Sequence, residues 1–141
     1  MPLRVRDKPF WMKVFNRRAV VALLGTVYLP TGFRERHEGT PRYADVLDHE
    51  SIHIARQHAV GMVRWHLRYA LSRRFRWEEE KSAYGSELRR VRARGEDLSE
   101  EERRSLAADL SGPKYLFMTD AATARAFIDE ALRPPPPLPA I

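Results

Sequence analysis

The sequence contains no cysteine among its 141 residues. This absence excludes disulfide frameworks, thiol nucleophiles, iron–sulfur clusters and zinc sites built from thiolates. A bound metal ion would have to be held by His, Asp or Glu side chains. Long apolar runs are missing as well, because the longest one, from Ala19 to Leu24, is far shorter than the roughly 20 residues that a bilayer span needs.

The N-terminus also lacks the pattern of a secretory signal. Arg4, Arg6, Asp7 and Lys8 precede only a few apolar residues, whereas a signal needs a continuous apolar segment. With neither a signal nor a span, we expect a cytoplasmic protein that has no membrane partner.

Composition and length predict one small globular domain. Hydrophobic residues make up 43% and charged residues 31% of the chain, which is typical of a globular protein rather than a disordered one. We expect a single domain over residues 1–132, with a helical extension over 97–132 and a proline-rich tail over 133–141.

The net charge of +6 is divided unevenly along the chain. Residues 1–95 contain 20 basic and 10 acidic side chains, and residues 96–141 contain 5 and 9. A basic body of this kind attracts either nucleic acid or an acidic segment of its own chain. The charge alone does not decide between these partners.

The pattern of residues predicts a small amount of β-structure followed by helices. The segment Trp11–Pro30 favours one or two strands, and Thr31–Thr40 a loop. Thr40 and Pro41 suit the start of a helix that runs to about His58. Two further helices are predicted, one with Val63, Leu67 and Ala70 at helical spacing and one from Trp77 to Val91. A Ser99/Glu102 capping box opens the next helix. The last predictions are a strand or extended segment over Lys114–Met118 and a helix over Asp120–Leu132.

The central predicted helix contains the pattern His49-Glu50-Ser51-Ile52-His53, an HExxH motif. Residues four apart lie one helical turn above each other, so both imidazoles can face one metal ion. Glu50 is rotated by about 100° from His49 and points beside the ion, where a general base for a metal-bound water belongs. A shuffled chain of this composition would contain the motif in roughly one or two cases out of a hundred.

A hydrolytic zinc site needs a third protein ligand and an open fourth position. Glu80 is the preferred candidate, because it lies on the apolar stripe of its predicted helix between Trp77 and Tyr84, where an unpaired carboxylate is costly. Glu78 and Glu79 fall off that stripe and are interpreted as solvated. An ion pair with an arginine is the structural alternative for Glu80. His37 and His66 also remain open as ligands, whereas His58 does not fit the spacing of the metzincin pattern.

The HESIH motif, followed 27 residues after His53 by Glu80-Lys81-Ser82-Ala83-Tyr84, resembles the gluzincin arrangement of HExxH and ExxA. Small phage and bacterial zincins are similar in length and in the intervening segment. The resemblance covers about residues 17–90, and Ser82 stands where such families often have a second Glu. It implies an α+β, zincin-like fold in which a small N-terminal sheet packs on the HExxH helix, beside a helix that carries the Glu ligand and C-terminal helices.

The resemblance also implies a zinc-dependent metallopeptidase. Zn²⁺ would be the cofactor, bound by His49, His53 and Glu80, while Glu50 would be the catalytic base that activates a water against a peptide carbonyl. The substrate would be a peptide or protein, paired on an edge strand at Thr26–Leu29 unless that segment is a plain core strand. Tyr84, His66 and Tyr115 are candidates for an auxiliary donor to the oxyanion.

Two other functions compete with this one. A zincin-like domain could bind metal without turnover, or be blocked by the acidic segment from Glu96 onward. An Arg-rich protein could instead bind nucleic acid, although no nucleic-acid motif is present. The arginines that would serve it are Arg64, Arg68, Arg73, Arg74 and Arg76.

Overall fold

The structure is a computed structural model that describes residues 2–15 and 19–140. It is an α+β chain with one small sheet and mostly helices, as the sequence predicts. The chain divides after Glu87 into two compact units, so the single domain stays a prediction. The first unit contains β1 (Arg4–Asp7), α1 (Phe10–Phe15), β2 (Val21–Leu23), β3 (Thr26–Leu29), α2 (Phe33–His37), α3 (Pro41–Val60), α4 (Met62–Leu71) and most of α5 (Arg73–Ala93).

The sheet has the strand order β1-β3-β2. β1 pairs with β3 in parallel, with Arg4 opposite Thr26, and β2 pairs with β3 antiparallel, with Leu23 opposite Thr26. β3 is therefore the central strand. The interpretation of Thr26–Leu29 as an edge strand for a substrate is wrong, because hydrogen-bonded neighbours occupy both of its sides, and the alternative of a plain core strand is correct.

The core of the first unit lies between this sheet and α3. Val27 and Leu29 of β3 are fully buried, and they pack with Phe33 of α2 and Ile54 of α3. Burial of β3 on both faces explains its apolar, β-branched sequence. This packing presses α3 against the sheet and holds in place the helix that carries the HExxH motif.

The start of α3 is confirmed as predicted. Thr40 has an extended backbone, its hydroxyl accepts a hydrogen bond from the Tyr43 amide at 3.2 Å, and Pro41 occupies the first turn. The helix continues two residues beyond the predicted end and stops at Gly61, whose φ of 102° is strained for any residue with a side chain. α4 begins directly after this glycine.

The one or two strands predicted within Trp11–Pro30 are present as β2 and β3, although the start of that segment belongs to the short helix Phe10–Phe15. Two local predictions are wrong. A helix covers Phe33–His37 inside the predicted loop. Around the predicted strand at Lys114–Met118, the structure has a 3-10 turn over Pro113–Tyr115, followed by left-handed backbone at Leu116 and Phe117. Elements this short take their conformation from their contacts more than from local propensity.

The second unit is a pair of helices, α6 (Glu100–Ser111) and α7 (Ala121–Ala131), joined through the 3-10 turn. The predicted capping box is present, with the Ser99 hydroxyl and the Glu102 carboxylate each satisfying the other's backbone amide. Asp120 caps α7, also as predicted. Residues 133–140 form neither helix nor strand.

No helix among residues 2–15 and 19–140 combines the length and the apolar character that crossing a bilayer requires.

The buried side chain of Gln57 connects α3 to the turn between β2 and β3. Its oxygen accepts a hydrogen bond from the Gly25 amide at 3.0 Å, and its nitrogen donates to the Ala22 carbonyl at 3.2 Å. The residue has no exposed surface. The amide group therefore fixes the distance between the HExxH helix and the β2–β3 turn.

We predict that Gln57→Leu lowers the free energy of unfolding by about 1–3 kcal/mol, because it leaves the Gly25 amide without its partner. Chemical denaturation followed by circular dichroism measures this loss. Arg42→Leu, at an exposed position of the same helix, is the control and should change the value by less than about 0.5 kcal/mol. Equal effects of the two variants would contradict the bridging role of Gln57.

Candidate metal centre

α3 presents His49 and His53 on one face, as the helical spacing requires. The two imidazole centroids are 5.0 Å apart. His49 is 6% and His53 is 4% exposed, so neither ring is a solvated surface histidine. Tyr84 packs edge-on against His49 at 4.4 Å, and Trp65 lies against His53 at 5.7 Å. Aromatic walls on both sides restrict the rotation of the two rings.

Glu80 reaches the same point from α5. Its Oε2 lies 3.5 Å from His49 Nε2, and its Oε1 lies 3.3 Å from His53 Nε2. Donor atoms of all three side chains fall within 4.8 Å of one another, and all three residues are buried. The structure thus brings together the three residues that the sequence selected as metal ligands, with the Glu80 carboxylate facing both histidines.

These separations fit a tetrahedral metal site. Two ligand atoms that are each about 2.05 Å from a zinc ion lie about 3.3 Å apart in tetrahedral geometry. In addition, Glu80 Oε2 is buried and accepts no hydrogen bond. A buried carboxylate oxygen without a partner is costly, and a bound cation would satisfy it. A donor set of two imidazoles and one carboxylate is used by proteins to bind zinc and other transition metals.

Glu50 lies beside the three ligands and is 8% exposed. Burial raises the pKa of its carboxyl above the usual range, and the neighbouring His49 and His53 oppose that rise. For Glu80, burial would also raise the pKa, but the charge of His53 and the contact with His49 outweigh burial and hold the pKa below its usual range. The two carboxyl groups of the site therefore have different electrostatic environments.

Glu87 is a site residue that the sequence prediction missed. Its Oε2 lies 2.9 Å from His49 Nδ1, on the side of the ring opposite to Glu80. Burial would lower the pKa of His49, but contacts with Glu80 and Glu87 outweigh burial and raise it to about 10 when no metal is bound. Metal binding would displace the imidazole proton that faces Glu80, because a histidine ligand binds in its neutral form. The sequence spacing could have identified Glu87, because it follows Glu80 by seven residues, which is two helical turns.

Tyr69 of α4 is a second residue that was missed. Its hydroxyl donates a short hydrogen bond to Glu80 Oε1, and its ring stacks on Trp65 at 4.7 Å. Burial and the nearby Glu80 charge raise the pKa of the phenol well above its usual range, so it remains a donor. Tyr69 therefore orients the carboxylate that faces both histidines.

The three candidates for an oxyanion donor have separate surroundings. Tyr84 is at the site through its ring contact with His49. His66 Nδ1 instead donates to the Met62 carbonyl, 2.7 Å away, and its Nε2 accepts from the Leu24 amide, 3.4 Å away. Tyr115 belongs to the second unit. The assignment of an oxyanion donor to any of them stays a prediction.

The interpretation of Glu79 as solvated is wrong. Glu79 is 4% exposed. It accepts three hydrogen bonds from the guanidinium of Arg56, at 2.9, 3.1 and 3.3 Å, and another from Trp65 Nε1 at 3.1 Å. The pattern of the apolar stripe failed here because α5 has buried residues on more than one face, including Phe75, Ala83 and Leu88. Glu79 fixes the Trp65 ring that packs against His53.

The remaining histidines are not part of the cluster. His37 lies at the end of α2, where its ring packs on Phe33 at 4.7 Å. His58 lies near the β2–β3 turn, with its ring about 3.7 Å from the position that a Cβ of Gly25 would occupy. Among the residues that the structure describes, His49, His53 and Glu80 form the one group of such side chains that lie close enough together to share a metal ion.

The arginines proposed for nucleic-acid binding differ in their exposure to solvent. Arg76 is 3% exposed, and its guanidinium donates to the backbone carbonyls of Tyr69 and Ala70. It closes the junction between α4 and α5 and is not available to a phosphate backbone. The other four arginines are exposed: Arg64, Arg68, Arg73 and Arg74.

The chain matches no protein-family model, and comparison with curated proteins and with solved structures returns no similar protein.

We predict that Glu87→Gln weakens metal binding by about tenfold to a hundredfold, because Glu87 holds and polarises the His49 ring from its far side. Competition with a zinc chelator measures the affinity. Glu78→Gln, an exposed position of the same helix, is the matched control and should leave the affinity unchanged. An unchanged affinity in Glu87→Gln would contradict the positioning role.

Proposed function

We propose that the protein is a zinc-dependent metallopeptidase with a gluzincin-type site on a zincin-like fold. The observation that carries the proposal is the convergence of His49, His53 and Glu80 within 4.8 Å, with Glu50 next in the chain to the first ligand. Two imidazoles, one carboxylate and an adjacent second carboxylate are the groups that metal-assisted hydrolysis needs.

Each side chain has a specific role in this proposal. His49, His53 and Glu80 hold the ion, Glu87 orients His49, and Tyr69 orients Glu80. A bound zinc ion would act as a Lewis acid toward a water molecule and a peptide carbonyl. Glu50 accepts the proton of the attacking water and passes it to the leaving amine as the peptide bond breaks.

The sheet restricts how an extended peptide could bind. β3 is paired on both sides, so a substrate strand can add only beyond β1 or β2. The Ala22 carbonyl of β2 already accepts the hydrogen bond from Gln57, which removes one acceptor from that edge. Substrate recognition through the sheet would therefore differ from the pairing with Thr26–Leu29 that the resemblance implies.

A metal site without turnover is the second candidate, and burial favours it. His49, Glu50, His53 and Glu80 are each less than 10% exposed. Structural zinc sites are closed, whereas catalytic sites keep one position open to water and substrate. In this alternative, zinc would hold α3 and α5 together and Glu50 would have no proton to transfer.

The Glu50→Gln variant separates the two candidates. We predict that it retains about one zinc per chain and loses peptidase activity by about a hundredfold or more, because the amide cannot accept a proton. Elemental analysis gives the metal content, and cleavage of a library of fluorogenic peptides gives the activity.

Glu78→Gln is the control and should keep both the metal and the activity. Zinc-loaded wild-type protein without any cleavage would favour the structural site. Activity that persists in Glu50→Gln would contradict the role of Glu50, and a wild-type protein that binds no zinc would contradict the metallopeptidase itself.

A further inference from the structure

α4 has two faces of opposite character. Its inner face carries Trp65 and Tyr69, which contact the residues of the metal centre. On the outer face, Val63 is 68%, Leu67 is 56% and Leu71 is 82% exposed. These three residues are four apart, so they form one continuous aliphatic stripe along the helix. Isolated exposed leucines are ordinary, but an aligned stripe marks an interaction surface.

Arginines border this stripe on one side. Arg64 and Arg68 follow Val63 and Leu67 by one residue each, and a step of one residue turns about 100° around a helix. Arg73 and Arg74 continue the positive charge just beyond the end of α4, and all four arginines are exposed. The guanidinium of Arg68 lies 4.5 Å from the centre of the Phe75 ring.

The turn between β2 and β3 adds a further leucine next to α4. The Leu24 amide lies 3.4 Å from His66 Nε2, and a Cβ at Gly25 would lie 3.3 Å from the Met62 side chain. Leu24 is 61% exposed and has a φ of 47°. Left-handed backbone favours glycine or asparagine, so a leucine held there with its side chain in solvent is costly. This cost is explained if the leucine has a binding role.

We propose that this outer face, made of Leu24, Val63, Leu67, Leu71 and the bordering arginines, docks on an anionic membrane surface. An aliphatic stripe beside arginines on a helix is the pattern of helices that lie in the lipid interface. The aliphatic side chains enter the acyl boundary, and the guanidinium groups pair with lipid phosphates. The expectation of no membrane partner came from the absence of a span, which does not bear on a peripheral contact.

The composition of the face argues against the other occupants. Binding of single-stranded nucleic acid uses aromatic rings on which bases stack, and the stripe contains none. Protein interfaces concentrate their binding energy in Trp, Tyr and Arg at a well-packed centre, whereas here the centre is aliphatic and the arginines lie at the border. A helix face and a turn tip also project outward, which suits insertion into lipid better than enclosure of a partner.

The proposal does not depend on peptidase activity. Docking through the outer face would leave the inner face of α4, with Tyr69, turned away from the lipid and toward Glu80. The metal centre would then lie at a fixed distance from the membrane surface. Its metal content would not depend on docking. Vesicle binding and zinc content can therefore fail separately.

Co-sedimentation with vesicles tests the proposal on the full chain. We predict binding to phosphatidylcholine vesicles that contain about one third phosphatidylserine, and weak binding to phosphatidylcholine alone. Leu67→Ser combined with Leu71→Ser should reduce binding by about tenfold or more, because two aliphatic side chains no longer enter the lipid. Arg64→Gln combined with Arg74→Gln should reduce it by a similar factor and weaken its dependence on salt.

Leu138→Ser and Arg104→Gln are the matched controls, since both positions are exposed in the second unit, and both should bind like the wild type. Circular dichroism verifies that each variant is folded. Absence of vesicle binding by the folded wild type would overturn the proposal, as would binding that the leucine variant retains.

Two further results would assign the face to another occupant and also overturn the proposal. The first is self-association, measured by light scattering, that the leucine variant abolishes while vesicles are not bound. The second is binding of a single-stranded oligonucleotide that requires the arginines but not the leucines.

Discussion

The buried carboxylate of Glu80 is the group on which the first unit is organised. Moving a carboxylate out of water costs several kcal/mol unless compensating charges and hydrogen bonds surround it. Here the compensation comes from three directions: His49 and His53 on α3 and the Tyr69 hydroxyl on α4. Two helices, α3 and α4, therefore converge on one side chain of α5, and removal of any partner leaves a charge in a poorly polar environment.

The residues around Glu80 are themselves held by further contacts. Glu87 holds the far side of the His49 ring, Glu79 and Arg56 fix Trp65, and Trp65 packs against His53 and Tyr69. The acidic run Glu78–Glu80 thus has one exposed member and two buried ones with different partners. An arrangement held at this many points keeps its geometry before a metal or a substrate arrives, which is what both catalysis and tight metal binding require.

The sequence predicted the parts of this arrangement that depend on helical spacing. His49 and His53 share a face because they are four residues apart, and the caps at Thr40, Ser99 and Asp120 follow from local hydrogen bonds. Glu80 could be selected because a carboxylate interrupted an apolar stripe. Glu87 and Tyr69 were missed because their role depends on the positions of α4 and α5 relative to α3, which no local pattern contains. The short helices at Phe10–Phe15 and Phe33–His37 were missed for the same reason.

The periodicity of α4 predicted the helix but not which of its faces is buried. Val63, Leu67 and Ala70 predicted a helix correctly, yet all three are exposed, while the buried residue of the helix is Trp65. Spacing identifies an apolar stripe but not the surface that the stripe meets. In this helix Trp65 and Tyr69 contact the candidate metal ligands, and the aliphatic side chains of the opposite face are exposed.

Crystals of the zinc-treated protein, with diffraction recorded on both sides of the zinc absorption edge, test the central claim most directly. The account predicts an anomalous peak within bonding distance of His49 Nε2, His53 Nε2 and a carboxylate oxygen of Glu80, with Glu87 still in contact with His49 Nδ1. Direct pairing of Glu80 with the two histidines, and no peak between them at saturating zinc, would contradict it.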